Sequence, residues 1–286
     1  MATIDILTIP QTEARPEVTR IRPSQGWRAI DLREIWQYRE LLWFLTLRDI
    51  KLRYKQTALG VAWAVLQPLF TMLTFAVVFG RLAGIPSNGV PYPLFSYSAL
   101  VLWTYFSITL SQVSNSLVAN SSLITKIYFP RVLLPAAGAA AGLLDLAVSS
   151  LLLVVMLVYY RVTPHWTMLL TPIFVAQTVL LVIGIGMLLA ALNVRYRDVK
   201  YTIPFLTQLG LFVTPIIYPV SFLPHRLQGW LALNPMTGVI EGFRACLFGT
   251  PVDWSVLACS WLLTLLLLVA GGVHFRSTER VFADIV

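Results

Sequence analysis

Only one carboxylate, Asp145, lies deep inside an apolar stretch; the other acids fall in the N-terminal part, in loops or at segment ends. A carboxylate in hydrocarbon is a functional candidate by default, because an unpaired charge there is costly. Two roles stay open for it: an ion-pair partner that holds the structure, or a relay for protons. Four cations, Arg48, Lys51, Arg53 and Lys55, stand directly before Gln56–Gly80, which carries no ionisable side chain. Such a cluster at a leaflet surface attracts anionic headgroups and makes charge-assisted hydrogen bonds to phosphate. The three histidines, His165, His225 and His274, are scattered and lack metal-ligand spacing. No glycine loop followed by Lys is present to cradle a nucleotide phosphate. No carboxylate pair is placed for acid–base work on a sugar, and no acidic cluster could bind a catalytic metal. These absences point away from an enzyme.

The elements that hold those residues follow from composition. Of 286 residues, 57% are apolar and 12% charged, with mean hydropathy +0.75. A soluble domain carries about 25% charged residues, so this chain is expected to be an all-α integral membrane protein. The net charge of +8 is concentrated beside apolar segments, which favours anionic lipid over nucleic acid as its counterpart. Cys246 and Cys259 suggest no disulfide framework. The N-terminal residues lack the apolar core of a signal peptide and contain Pro10, Pro16 and Pro23. Residues 1–26 read as a flexible cytoplasmic tail.

Residues 27–55 read as an amphipathic interface helix, with Leu32, Trp36, Trp43, Leu47, Ile50 and Tyr54 on one stripe and most charges opposite. Arg39 and Arg53 spoil that separation. Residues 56–286 form the transmembrane domain. The first crossing is placed at Gly60–Phe79 with Pro68 inside it, the second at Leu94–Val118, and the third at Val132–Tyr160. The third opens with a Gly138/Gly142 pair, suited to close helix packing either within the chain or between two copies. The fourth is Trp166–Leu192, the fifth Tyr201–Tyr218, and the last Trp254–Val273. Between the fifth and last, Asn234-Pro235 is a strong helix start. That helix should end near Phe248, too short to span, and fits a re-entrant or gate segment. Of the 21 Lys and Arg, 17 fall on the side of the basic N-terminal segment. Six crossings with both termini cytoplasmic follow.

The three first crossings do not resemble the three last, so the inverted repeat common in secondary transporters is missing. Energy then has to come from elsewhere, and two short charged loops, Asn120–Arg131 and Asn193–Lys200, could receive it. A proton-coupled carrier using Asp145 is the alternative from another class.

Three stretches carry a family resemblance: RDIKLRYKQTALGVAWAVLQP, NVRYRDVKYTIPFLTQLGLFVTPIIYP and NPMTGVIEGFRACLFG. They resemble the permease subunits of ABC-2-type exporters, in the branch that exports lipid-linked polysaccharides such as O-antigen, capsule and teichoic acid. The likeness runs from about Trp27 to the C-terminus. It implies a homodimer paired with two copies of a separate ATPase, which holds ATP and Mg, while this chain holds no cofactor. It implies that Asn120, Lys126, Arg131, Arg195, Arg197 and Asp198 couple to that ATPase. Arg48, Lys51, Arg53 and Lys55 would border the entrance for a lipid diphosphate headgroup. An outer gate would include Pro215, Pro219, Asn234 and Pro235. Aromatic rings stack on sugar faces, so Trp63, Phe70, Trp103, Tyr105 and Phe212 are candidates for the translocation path. Export of a drug or small lipid is the other cargo within the same family.

Overall fold

The computed structural model describes residues 36–55 and 60–279. The expected tail, the first part of the interface helix and the last residues lie outside that range. Among the described residues the chain is helical and no strand occurs. The helices are α1 (Arg39–Tyr54), α2 (Ala62–Phe75, continued by a π-helical turn Ala76–Leu82), α3 (Tyr92–Ala119), α4 (Ser121–Lys126) and α5 (Leu133–Tyr159). They continue as α6 (Thr171–Arg195, after a 3-10 turn Trp166–Leu170), α7 (Val199–Val213), α8 (His225–Ala232), α9 (Pro235–Phe248) and α10 (Trp254–Glu279).

Five segments are long and apolar enough to cross a bilayer: Ala62–Leu82, Tyr92–Ala119, Leu133–Tyr159, Trp166–Arg195 and Trp254–Glu279. They agree with five of the expected crossings to within a turn or two. The stretch expected to be the fifth crossing divides instead. Its helix α7 has 15 residues, about 22 Å at 1.5 Å per residue, short of a hydrocarbon core of about 30 Å. Thr214 then turns extended (φ −80°, ψ 143°), one residue before Pro215, because the residue preceding proline is driven out of the α region. Pro68 and Pro204, by contrast, sit inside continuous helices.

Helix α3 is the centre. It packs on α2, α5, α6, α7 and α9, and its residues Leu94–Leu102 are buried on every side. Close approach is bought by small residues. A Cβ on Gly142 would meet the Thr109 hydroxyl at 2.4 Å, and one on Gly138 would meet Val113 at 3.3 Å. The Gly138/Gly142 pair therefore seats α5 on α3 within one chain. Gly184 and Gly271 do the same for α6 against α10; a Cβ on Gly271 would stand 2.0 Å from the Gly184 carbonyl oxygen.

Helix α9 begins as its sequence requires. Asn234 Oδ1 accepts from the Met236 N–H at 3.1 Å, Pro235 takes the first position, and Gly249 ends the helix at φ 66°. It is almost wholly buried although too short to span.

Candidate functional site at the α1–α3–α5 cavity

Arg53, which broke the amphipathic pattern of α1, lies on the face of that helix turned towards the protein. Its guanidinium is ion-paired through Nη1 with Asp145 Oδ2 of α5 and donates through Nη2 to Gln112 Oε1 of α3. Both side chains are partly shielded, at 19% and 20% exposure. Asp145 is thus held in an ion pair across α1 and α5. Burial pulls the Arg53 guanidinium below its ordinary value, and the neighbouring Asp49 and Tyr105 push it back; an arginine stays cationic throughout.

The pair borders a cavity of about 220 Å³ between α1, α2, α3 and α5. Trp63 and Gln67 come from α2, Thr104, Tyr105, Thr109 and Gln112 from α3, and Gly142, Asp145 and Ser149 from α5. Gly142 makes this wall tight by bringing α5 against Thr109 and Tyr105. Tyr105 is fixed by donating to the Ala139 carbonyl at 3.0 Å, and Ser149 Oγ donates to the Asp145 carbonyl at 2.8 Å. The lining thus combines a cation paired with a carboxylate, planar amides, hydroxyls and three aromatic side chains, Tyr54, Trp63 and Tyr105; the cation and amides can hold an oxyanion and the rings a sugar face.

The four expected headgroup cations divide. Only Arg53 lines the cavity. Arg48 pairs with its neighbour Asp49 at 2.8 Å, and Lys51 and Lys55 are exposed. Trp36, Trp43 and Phe44 are also exposed, so α1 presents aromatics and lysines outward while Leu45 and Thr46 are buried. The path candidates divide too. Trp63 and Tyr105 meet at the cavity, Phe70 and Phe212 are exposed elsewhere, and Trp103 is buried in the core against Phe106 and α7's Gly210.

The two charged loops come to one end of the bundle. Leu117, Ile124, Phe129, Leu133, Met187, Ala190, Val194 and Phe275 form one apolar cluster there, which also takes Leu45 of α1. Lys126, Arg195, Arg197 and Asp198 are exposed, beside exposed Ile127 and Tyr128. Asn193 ties the second loop down by donating to the Ser114 carbonyl at 3.1 Å and to Asn115 Oδ1 at 2.9 Å. Asn120 Nδ2 donates to the Ser116 carbonyl at 2.7 Å. Arg131 is engaged with Glu279, its guanidinium donating to the Glu279 carbonyl.

At the expected gate, the non-helical segment Thr214–Pro219, a run of turns and bends, is largely buried. Tyr92 Oη donates to the Ile217 carbonyl at 2.8 Å, and Asn234 Nδ2 to Thr214 Oγ1 at 2.9 Å. Arg244 of α9 donates to the carbonyls of Pro215 at 2.6 Å, Ile216 at 2.9 Å and Phe95 at 3.0 Å. Its guanidinium carbon lies 3.6 Å from the Phe95 ring centroid. Sequence reading gave Arg244 no role, counting it only among the four cations away from the basic N-terminal side. Its signal was available: Glu241 and Arg244 stand three apart in an otherwise uncharged 14-residue helix, the spacing of an intrahelical pair.

A multi-pass helical bundle with a cavity between α1, α2, α3 and α5, two exposed charged loops at one end and a non-helical segment near the other is the build of a membrane transport protein. The chain belongs to the ABC-2 type transporter family, whose model matches residues 40–248. It is 29% identical over 257 residues to the O-antigen export system permease protein RfbA of Myxococcus xanthus, covering 88% of this chain and 98% of that protein. It is 25% identical to the protein of the same name from Klebsiella pneumoniae (86% and 95% covered). It is 24% identical to the polysialic acid transport protein KpsM of Escherichia coli (82% and 92% covered).

Proposed function

We propose that this chain is the membrane-spanning subunit of an ATP-driven exporter that moves a lipid-linked polysaccharide, on a polyprenyl diphosphate, across the bacterial inner membrane. The observation that carries the reading is the near end-to-end match to O-antigen and polysialic acid permeases. The geometry supports it. A cavity whose mainly apolar wall carries Arg53, Gln67, Gln112, Thr104 and Thr109 offers donors for a phosphate beside surface for a lipid. Asp145 is neutralised by Arg53, which disfavours the proton-coupled carrier.

In this reading two copies of the chain associate, and two copies of a separate ATPase dock on Lys126, Arg195, Arg197 and Asp198 and bring ATP and Mg. The helix α7 with the non-helical segment to Pro219 acts as the short fifth crossing, giving six crossings and cytoplasmic termini. The segment held by Arg244, with Pro215, Pro219, Asn234 and Pro235, is the outer gate.

The test is purification from the native cells in mild detergent, with mass spectrometry of what stays bound. A stoichiometric subunit carrying a GxxxxGK[ST] loop and ATP hydrolysis in the preparation are expected. Repeated recovery of the folded chain alone would overturn the reading.

A further inference from the structure

We propose that the Asp145 carboxylate holds the place of a ligand diphosphate in the α1–α3–α5 cavity, and that a lipid-borne diphosphate displaces it from Arg53. The inference rests on the exporter reading above and deepens it by naming the exchange that admits the substrate. Arg53 is the cation that reaches the cavity from α1, and both of its outer nitrogens are already used, one by Asp145 and one by Gln112. A phosphate has the same fork-matching geometry as a carboxylate and more charge, so it competes for the same two donors. The hydroxyls and amides of Thr104, Thr109 and Gln67 stand around that position.

The closed pair also joins two elements. α1 packs on α5, and Arg53–Asp145 is the ion pair between them. Exchange of the carboxylate for a phosphate transfers Arg53 to the ligand and releases α1 from α5. No covalent change is involved. The free carboxylate has room to solvate, since Asp145 is already one-fifth exposed. A lipid tail has an apolar surface at the cavity, where α2 leaves Trp63 at 54% exposure. That surface is why the lipid-borne source is favoured over soluble diphosphate.

The experiment is equilibrium binding of labelled farnesyl diphosphate to the full-length permease in mild detergent, with farnesol and inorganic diphosphate as parallel probes. If the pair is closed about nine-tenths of the time, Asp145→Asn should tighten farnesyl diphosphate binding about tenfold, because a ligand's apparent affinity scales with the competent fraction. Arg53→Gln should lose the binding, and adding Asp145→Asn to it should not restore it. On the unsubstituted protein, farnesyl diphosphate should speed backbone hydrogen exchange in Arg39–Tyr54, a readout that survives should either variant fold poorly. Unchanged or weaker binding in Asp145→Asn, with α1 exchange unaffected by ligand, would show a fixed structural staple and overturn the exchange. Equal binding of farnesol would overturn the diphosphate site. Inorganic diphosphate binding as tightly as the lipid would overturn the lipid-borne source. Arg53-independent binding in a complex that still exports glycan overturns this inference alone, whereas a complex that exports none overturns the reading beneath it.

Discussion

Arg244 and Pro215, 29 residues apart, are joined by a 2.6 Å hydrogen bond from Nη1 to the carbonyl oxygen. The same guanidinium also serves Ile216 and Phe95. Proline and a non-helical turn leave carbonyls without helical partners, and at membrane depth such groups must be covered by protein. Arg244 covers two of them, at Pro215 and Ile216, with one planar fork that also reaches the helical carbonyl of Phe95.

Replacing Arg244 with Leu should therefore destabilise the fold strongly. Each buried acceptor left unpaired costs about 1–3 kcal/mol, so several kcal/mol are at stake. Arg244→Lys should fall between, because a point ammonium cannot reproduce the fork. Thermal unfolding of the purified protein would check the order wild type, Lys, Leu.

The glycine seam between α6 and α10 gives a sharper steric prediction. Gly271→Ala places a Cβ 2.0 Å from the Gly184 carbonyl oxygen, which forces the helices apart. A loss on the order of 1–3 kcal/mol is expected, as for an overpacked core. Gly229→Ala, in α8 with nothing within 4 Å of the new methyl, should be neutral or stabilise by about 0.5–1 kcal/mol. Melting temperatures of the two variants measured side by side would decide it.

Two tryptophans named together in the sequence should behave differently. Trp103 is 5% exposed and packs on Phe106 and Gly210, so Trp103→Ala should cost about 3–5 kcal/mol of stability. Trp63 is half exposed at the cavity, so Trp63→Ala should leave the melting temperature nearly unchanged and lower export. Melting temperature and surface glycan measured on both variants separate the roles.

That difference shows what the sequence could convey. Hydrophobic runs and their flanking charges located five long helices and the Asn234-Pro235 start, because those signals are local. The side of a helix that an isolated charge faces is not local. Arg53 looked like a flaw in α1 until Asp145, 92 residues on, was placed opposite it. Trp103 and Trp63 have the same chemistry and differ only in which helices close over them. The short α7 was hidden because Tyr201–Tyr218 carries no charge, and the proline at 215 marked where the helix must stop.

The charged end makes an electrostatic prediction. Lys126, Arg195 and Arg197 are exposed, so changing all three to Gln should weaken ATPase docking without altering the melt of the permease. The wild-type affinity should fall as salt rises, and the variant's dependence on salt should be flatter, since exposed charges are screened within about 10 Å at 0.1 M. Arg131→Gln is a separate case, because its guanidinium holds the Glu279 carbonyl and its loss should also loosen the end of α10.

The central claim is that this chain carries a lipid-linked polysaccharide outward. The most direct measurement is to deplete it in its native bacterium and follow the glycan on both sides of the inner membrane. The account predicts that polyprenyl-diphosphate-linked glycan accumulates on the cytoplasmic face while surface polysaccharide falls. Unchanged surface polysaccharide with no internal accumulation would contradict it.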